Sequence, residues 1–185
     1  MPIVPDDKDW TWVLERACPE CGFDASDLPP TAVASGLRDN ARAWRPLLDH
    51  PAASARPSDD RWSALEYACH VRDVFRRYDE RLALMLREDD PTFANWDQDR
   101  TAIEDRYADQ DPSVVVADLE EAGARLADSF DAVAGDQWER TGGRSDGARF
   151  TVDTFARYLL HDPVHHVWDV EQGYVTLATF PPAAS

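Results

Sequence analysis

The sequence predicts an all-α protein, a four-helix bundle with long connecting loops. Three observations carry that prediction. Four segments repeat apolar residues every three to four positions. Their ends carry capping residues, prolines or a glycine where helix boundaries need them. The length, 185 residues of which 43% are hydrophobic, suffices for one domain with a sizeable core.

The first helix is expected from about Pro30 to Asp49. Pro29-Pro30 suit the first turn, and Ala32, Val33, Leu37, Ala41, Trp44, Leu47 and Leu48 form its apolar stripe. His50-Pro51 ends it, because a residue before proline is pushed out of the helical region. The second runs from about Ser63 to Glu88. Ser63 and Glu66 have the spacing of a capping box. Leu65, Cys69, Val71, Phe75, Tyr78, Leu82 and Met85 supply its apolar positions, with Arg72, Arg76, Arg77, Asp79 and Glu80 outside.

The third helix is expected from about Pro112 to Ala134, with Val115, Leu119, Ala122, Leu126, Phe130 and Val133 at helical spacing. The fourth runs from about Thr151 to Gln172, with Gly173 as its stop. Two connections are long. Residues 89–111 hold Phe93, Trp96, Ile103 and Tyr107, which predicts a short helix over Trp96–Arg106. Residues 135–150 are rich in glycine, with Trp138 at one end. Such loops either act as lids and binding loops or cover the bundle ends. Residues 1–28, with Trp10, Trp12 and Phe23, are read as an N-terminal extension packed on the bundle of residues 29–185.

The net charge of −17 argues against nucleic acid and against an anionic membrane surface as partners. No run approaches the roughly 18 apolar residues of a membrane span. The start, Met1 to Asp7, lacks the basic and apolar regions of a signal peptide, so a cytoplasmic protein is expected. Lys8 is the one lysine in an arginine-, alanine- and aspartate-rich chain. That usage suggests a GC-rich genome, such as an actinobacterium, or a halophile.

Three cysteines do not make a disulfide framework. Cys18 and Cys21, in Cys-Pro-Glu-Cys-Gly, resemble one knuckle of a zinc ribbon, but no second Cys-x-x-Cys follows. They are either part of a metal site or a tight loop with two reduced thiols. Cys69 reads as a small core residue.

Chemistry concentrates in the five histidines. His161 and His165 are four residues apart, about 400° of helical turn, and so project from nearly one side. With His70 from a facing helix they would make a three-nitrogen metal site with open positions. Pro163 leaves two alternatives: a helix that continues through it, or one that restarts there with His161 outside. His166, about 100° round from His165, is a candidate proton shuttle or a surface residue. Asp73 and Asp169 either orient a ligand histidine or sit on solvated helix faces.

Trp62-Ser63-Ala64-Leu65-Glu66-Tyr67-Ala68-Cys69-His70-Val71-Arg72-Asp73 in the second helix, followed by His161-Asp162-Pro163-Val164-His165-His166 in the last, resembles the DinB/YfiT-like superfamily. The likeness is strongest to the actinobacterial branch near the N-terminal domain of mycothiol-dependent maleylpyruvate isomerase, and it covers roughly residues 30–172. It implies an up-up-down-down bundle with a divalent metal on His70, His161 and His165. Isomerase-like members can carry a carboxylate at the first position of the last-helix pair. The likeness does not extend to the isomerase's additional C-terminal domain, so that specific activity is not expected.

The activity this implies is a metal-dependent thiol S-transferase or isomerase using mycothiol or a similar small thiol and a small electrophile. Zinc is the expected metal, with nickel or iron as alternatives. The competing readings are a hydrolase using metal-bound hydroxide and a non-enzymatic metal-binding or redox-sensing bundle. A homodimer is implied by the resemblance alone.

Overall fold

Four long helices dominate the computed structural model, which describes residues 10–180. The acidic start, Met1 to Asp7, lies outside the described residues. In chain order the helices are α1 (Val33–Leu48), α2 (Ala64–Arg87), the short α3 (Gln98–Glu104), α4 (Pro112–Asp131) and α5 (Val152–Thr179). A 3-10 turn, Pro30–Ala32, leads into α1. Helix α4 packs on both α1 and α2, and α5 closes across the same two helices. Trp44, Phe75, Leu82, Leu119, Leu126 and Leu159 are fully buried between them. Gly123 permits the close crossing: a Cβ there would fall 2.8 Å from that of Ala41 and 3.0 Å from the Phe75 ring.

The caps form as the sequence predicts. At the start of α2, the Glu66 backbone N–H donates to Ser63 Oγ at 3.2 Å, and the Ser63 N–H donates to Glu66 Oε2 at 2.9 Å. Glu66 is buried, and the Arg56 guanidinium meets it with two nitrogens, Nε donating to Oε2 at 2.9 Å. At α4, Asp111 accepts from the Ser113 N–H at 2.8 Å ahead of Pro112.

Helix α5 continues through Pro163, so His161 lies within it. The proline denies the Leu159 carbonyl its usual donor. Asn40 of α1 supports this point of the helix, donating from Nδ2 to the Pro163 carbonyl at 2.8 Å while its Oδ1 accepts from Trp44 Nε1 at 3.1 Å. The helix also passes Gly173 and ends at Thr179, not near Gln172. Gly173 lies buried inside the helix rather than at its end, and a Cβ there would make an ordinary contact with Pro57.

The glycine-rich connection forms a 3-10 turn, Gly135–Glu139, and a hairpin of β2 (Thr141–Arg144) and β3 (Arg149–Thr151). The two-residue β1 (Thr92–Phe93) pairs in parallel with β2, tying together both long connections at one end of the bundle. Residues 10–28 run against α5, and Arg157 fixes them by donating from one terminal nitrogen to the carbonyls of Ala25 and Ser26.

Burial opposes the charged form of Glu66, but Arg56 and the Ser63 donors outweigh it and hold its carboxyl below the usual range. A depressed carboxylate contributes stability above its unfolded pKa and loses it as pH falls through the folded value. Glu66→Gln is therefore expected to cost about 2–3 kcal/mol at pH 7, and less on acidification below about pH 4. Ser63→Ala should cost about 1 kcal/mol. Urea unfolding of each variant at both pH values checks this; equal losses at both would rule out the ionic contribution at Glu66.

Candidate metal centre

The helical period of α5 splits four neighbouring ligand-type side chains into two pairs. His161 and His165 share one side; Asp162 and His166, each one residue on, share a side about 100° away. Helix α2 lies towards the second pair. His70, Asp162 and His166 each bring a ligand atom within 4.8 Å of the other two. His161 and His165 instead meet Cys18 and Cys21, with the same mutual limit of 4.8 Å. The structure therefore does not bring His70, His161 and His165 together as one trio. His166 takes the place expected for His165, and Asp162 that expected for His161.

The donor set around His70 fits a divalent cation. His70 is buried, at 1% exposure, yet neither ring nitrogen has a hydrogen-bond partner. Asp162 Oδ2 is also buried without one, 3.8 Å from His70 Nε2. Buried polar atoms are nearly always satisfied, so orphaned donors that converge require a partner such as an ion. His70 is held in place by stacking on Trp96, ring centres 5.3 Å apart, and by Trp62 at the same separation.

Asp169 fixes the third group. Its Oδ2 lies 3.1 Å from His166 Nδ1, which leaves Nε2 facing Asp162 Oδ1 at 3.6 Å. A carboxylate on the far nitrogen is the arrangement that orients a metal-binding histidine. Asp73 has a different task, accepting from the Tyr107 hydroxyl at 2.6 Å and from Arg72.

Charge follows from these contacts. Burial pushes the His70 imidazole down to about 4, keeping it neutral. Burial also opposes charge on His166, but Asp162 and Asp169 override it and raise the imidazole to about 10. Burial disfavours the Asp162 carboxylate too, yet His166, His70 and His161 outweigh it and leave the group at about 2. Asp162 is thus an anion facing a protonated His166. A cation would replace that proton, with metal loading favoured as pH rises.

The three groups open into a cleft of about 1360 Å³, walled by Trp62, Tyr67, Trp96 and Trp168. Arg81 and Arg144 also line it. Arg81 lies over the Phe93 ring, 4.8 Å from its centre, and donates to the Ala94 carbonyl at 2.9 Å. Arg144 donates to the Tyr158 hydroxyl at 3.2 Å.

The family model described as the DinB superfamily matches residues 31–170, which include α1 through most of α5 and all three groups around His70. The chain belongs to the DinB superfamily. As a DinB-superfamily member it shares its fold with YfiT from Bacillus subtilis, described as a probable metal-dependent hydrolase with an unusual four-helix bundle topology. The TM-score is 0.68 at 17% identity, over 77% of this chain and 86% of that one. No curated protein matches the chain in sequence. No helix among the described residues is long and apolar enough to cross a membrane.

Asp169→Asn should weaken cation affinity by about 10–100-fold, because His166 loses the partner that sets its tautomer. Competition with a chromophoric chelator measures this, and an unchanged affinity would remove Asp169 from the centre.

Proposed function

We propose that this protein is a metal-dependent enzyme that activates a small nucleophile at His70, Asp162 and His166 and delivers it to a small electrophile, with a low-molecular-weight thiol as the nucleophile. The observation that carries this reading is the set of buried, unpartnered atoms, both nitrogens of His70 and Oδ2 of Asp162, at an open cleft. Two imidazoles and one carboxylate are a donor set of catalytic zinc sites, which keep a position open for substrate. A divalent cation held there supplies Lewis-acid stabilisation of the nucleophile's anionic form near neutral pH.

The chain's own residues do the rest. Asp162 contributes a single negative charge, so the donor set leaves a divalent centre net positive and attractive to an anion. Asp169 holds His166 in the orientation that presents Nε2, and the Trp62 and Trp96 rings keep water from the back of His70. His166 thereby serves as a ligand in this reading rather than as a proton shuttle. Arg81 and Arg144 stand on a cleft wall that also carries carboxylates, and Arg144 is paired with Asp146 at 3.1 Å. The cleft exceeds the roughly 300–1,000 Å³ of a pocket for one drug-sized ligand. That volume leaves room for a thiol and an electrophile together.

The hydrolase reading uses the same three residues with water as nucleophile. Its support is the likeness of fold to a protein described as a probable metal-dependent hydrolase.

Loading the untagged protein with zinc and assaying epoxides, enones and alkyl halides with mycothiol-type thiols tests the proposal. Turnover is expected only with thiol present. His70→Ala should reduce cation affinity and turnover by more than the about 100-fold typical of losing an outer partner. Its bundle should persist, with thermal stability lower by the linkage contribution of about 3–4 kcal/mol at saturating metal. Thiol-independent turnover of esters or amides would favour the hydrolase, and full activity in His70→Ala would overturn both.

A further inference from the structure

We propose that Cys18, Cys21, His161 and His165 form a second metal site, closed and structural, in which a zinc-class cation clips the N-terminal segment onto α5. The four ligand atoms lie within 4.8 Å of one another. A tetrahedral zinc with sulfur at about 2.3 Å and nitrogen at about 2.0 Å separates its ligands by roughly 3.3–3.8 Å. Cys18 Sγ is already 3.7 Å from His165 Nδ1. Small side-chain rotations complete the set.

The backbone is shaped for such a site. The Gly22 N–H donates to the Cys18 carbonyl and the Cys18 N–H to the Phe23 carbonyl, each at 2.9 Å. Gly22 has φ of +74°, in the left-handed region that favours glycine, so the chain reverses directly after Cys21. This knuckle presents both sulfurs to one side. The partners arrive from α5 at a spacing of four, so the ligand pattern is Cys-x2-Cys with His-x3-His, that of closed structural zinc sites. The missing second Cys-x-x-Cys is supplied by the histidine pair.

The surroundings favour an ion over a pair of idle thiols. His161 is buried, and its Nε2 has no hydrogen-bond partner. Cys18 and His165 are buried as well. With His165 Nδ1 towards Cys18, its Nε2 faces the carboxylates of Glu20 at 3.5 Å and Asp169 at 3.8 Å. Trp10 covers both imidazoles, its ring 5.4 Å from His161 and 5.2 Å from His165. Four protein ligands leave no position for substrate, so the site has a holding role. What it holds is part of the cleft wall, because Trp10 and Glu20 belong to the segment it clips and line the cleft.

Cobalt loading of the full, untagged chain under reducing conditions separates this site from the His70 centre. Wild type is expected to bind two equivalents and to show a thiolate-to-cobalt charge-transfer band with no thiol substrate added. The double variant Cys18→Ser/Cys21→Ser should bind one equivalent and lose the band, while His70→Ala should also bind one yet keep it. Cys69→Ala should change neither. A mercurial thiol reagent, which needs no variant to fold, should release one equivalent from wild type. The double variant should also be cut faster by protease within residues 10–28. No band in wild type, a band that survives in the double variant, or no release by the mercurial would overturn the proposal. Failure of the thiol-transfer reading would leave the band and the stoichiometry untouched.

Discussion

Everything chemical in this protein depends on the rotation of one helix about its axis. Within six residues, α5 carries His161, Asp162, His165 and His166, and the 100° step between neighbours sends them in two directions. That step is useful only if the helix is held in one rotational setting. Burial of Phe155, Leu159, Leu160 and Val170 sets it from the core side, and the Asn40 hydrogen bond to the Pro163 carbonyl pins the same turn. Pro163 falls between the first and second member of each pair, where the free Leu159 carbonyl and the missing N–H would otherwise weaken the helix. The bundle is thus built most carefully where its ligands are.

Asp169 is the residue through which the two sides meet. Its Oδ2 lies 3.1 Å from His166 and 3.8 Å from His165, one histidine from each pair. A change in how one group is ligated alters the partner available to the other. The closed knuckle and the open cleft share a wall as well, through Trp10 and Glu20. A segment that contributes little to the bundle core therefore bears on the shape of the cleft.

The four helices were legible in the sequence because apolar spacing and caps are local properties. Ser63 with Glu66, and Pro112, mark their helix starts without tertiary information. Gly173 misled, since a glycine that stops a helix and one that lies inside it look alike in a sequence. The candidate metal ligands were legible in kind but not in grouping. His161/His165 and Asp162/His166 satisfy the same four-residue rule, and only the rotational setting of α5, a product of the whole core, decides which pair faces His70. Cys18 and Cys21 likewise showed half of a site whose other half lies about 140 residues away, a pairing that only the fold creates.

The most direct test of this division is anomalous diffraction at the zinc edge from crystals of the zinc-loaded protein. The account predicts a peak about 2.0–2.1 Å from a nitrogen of both His70 and His166, with Asp162 completing the set and an open side on the cleft. A peak bound jointly by His70, His161 and His165 would contradict it.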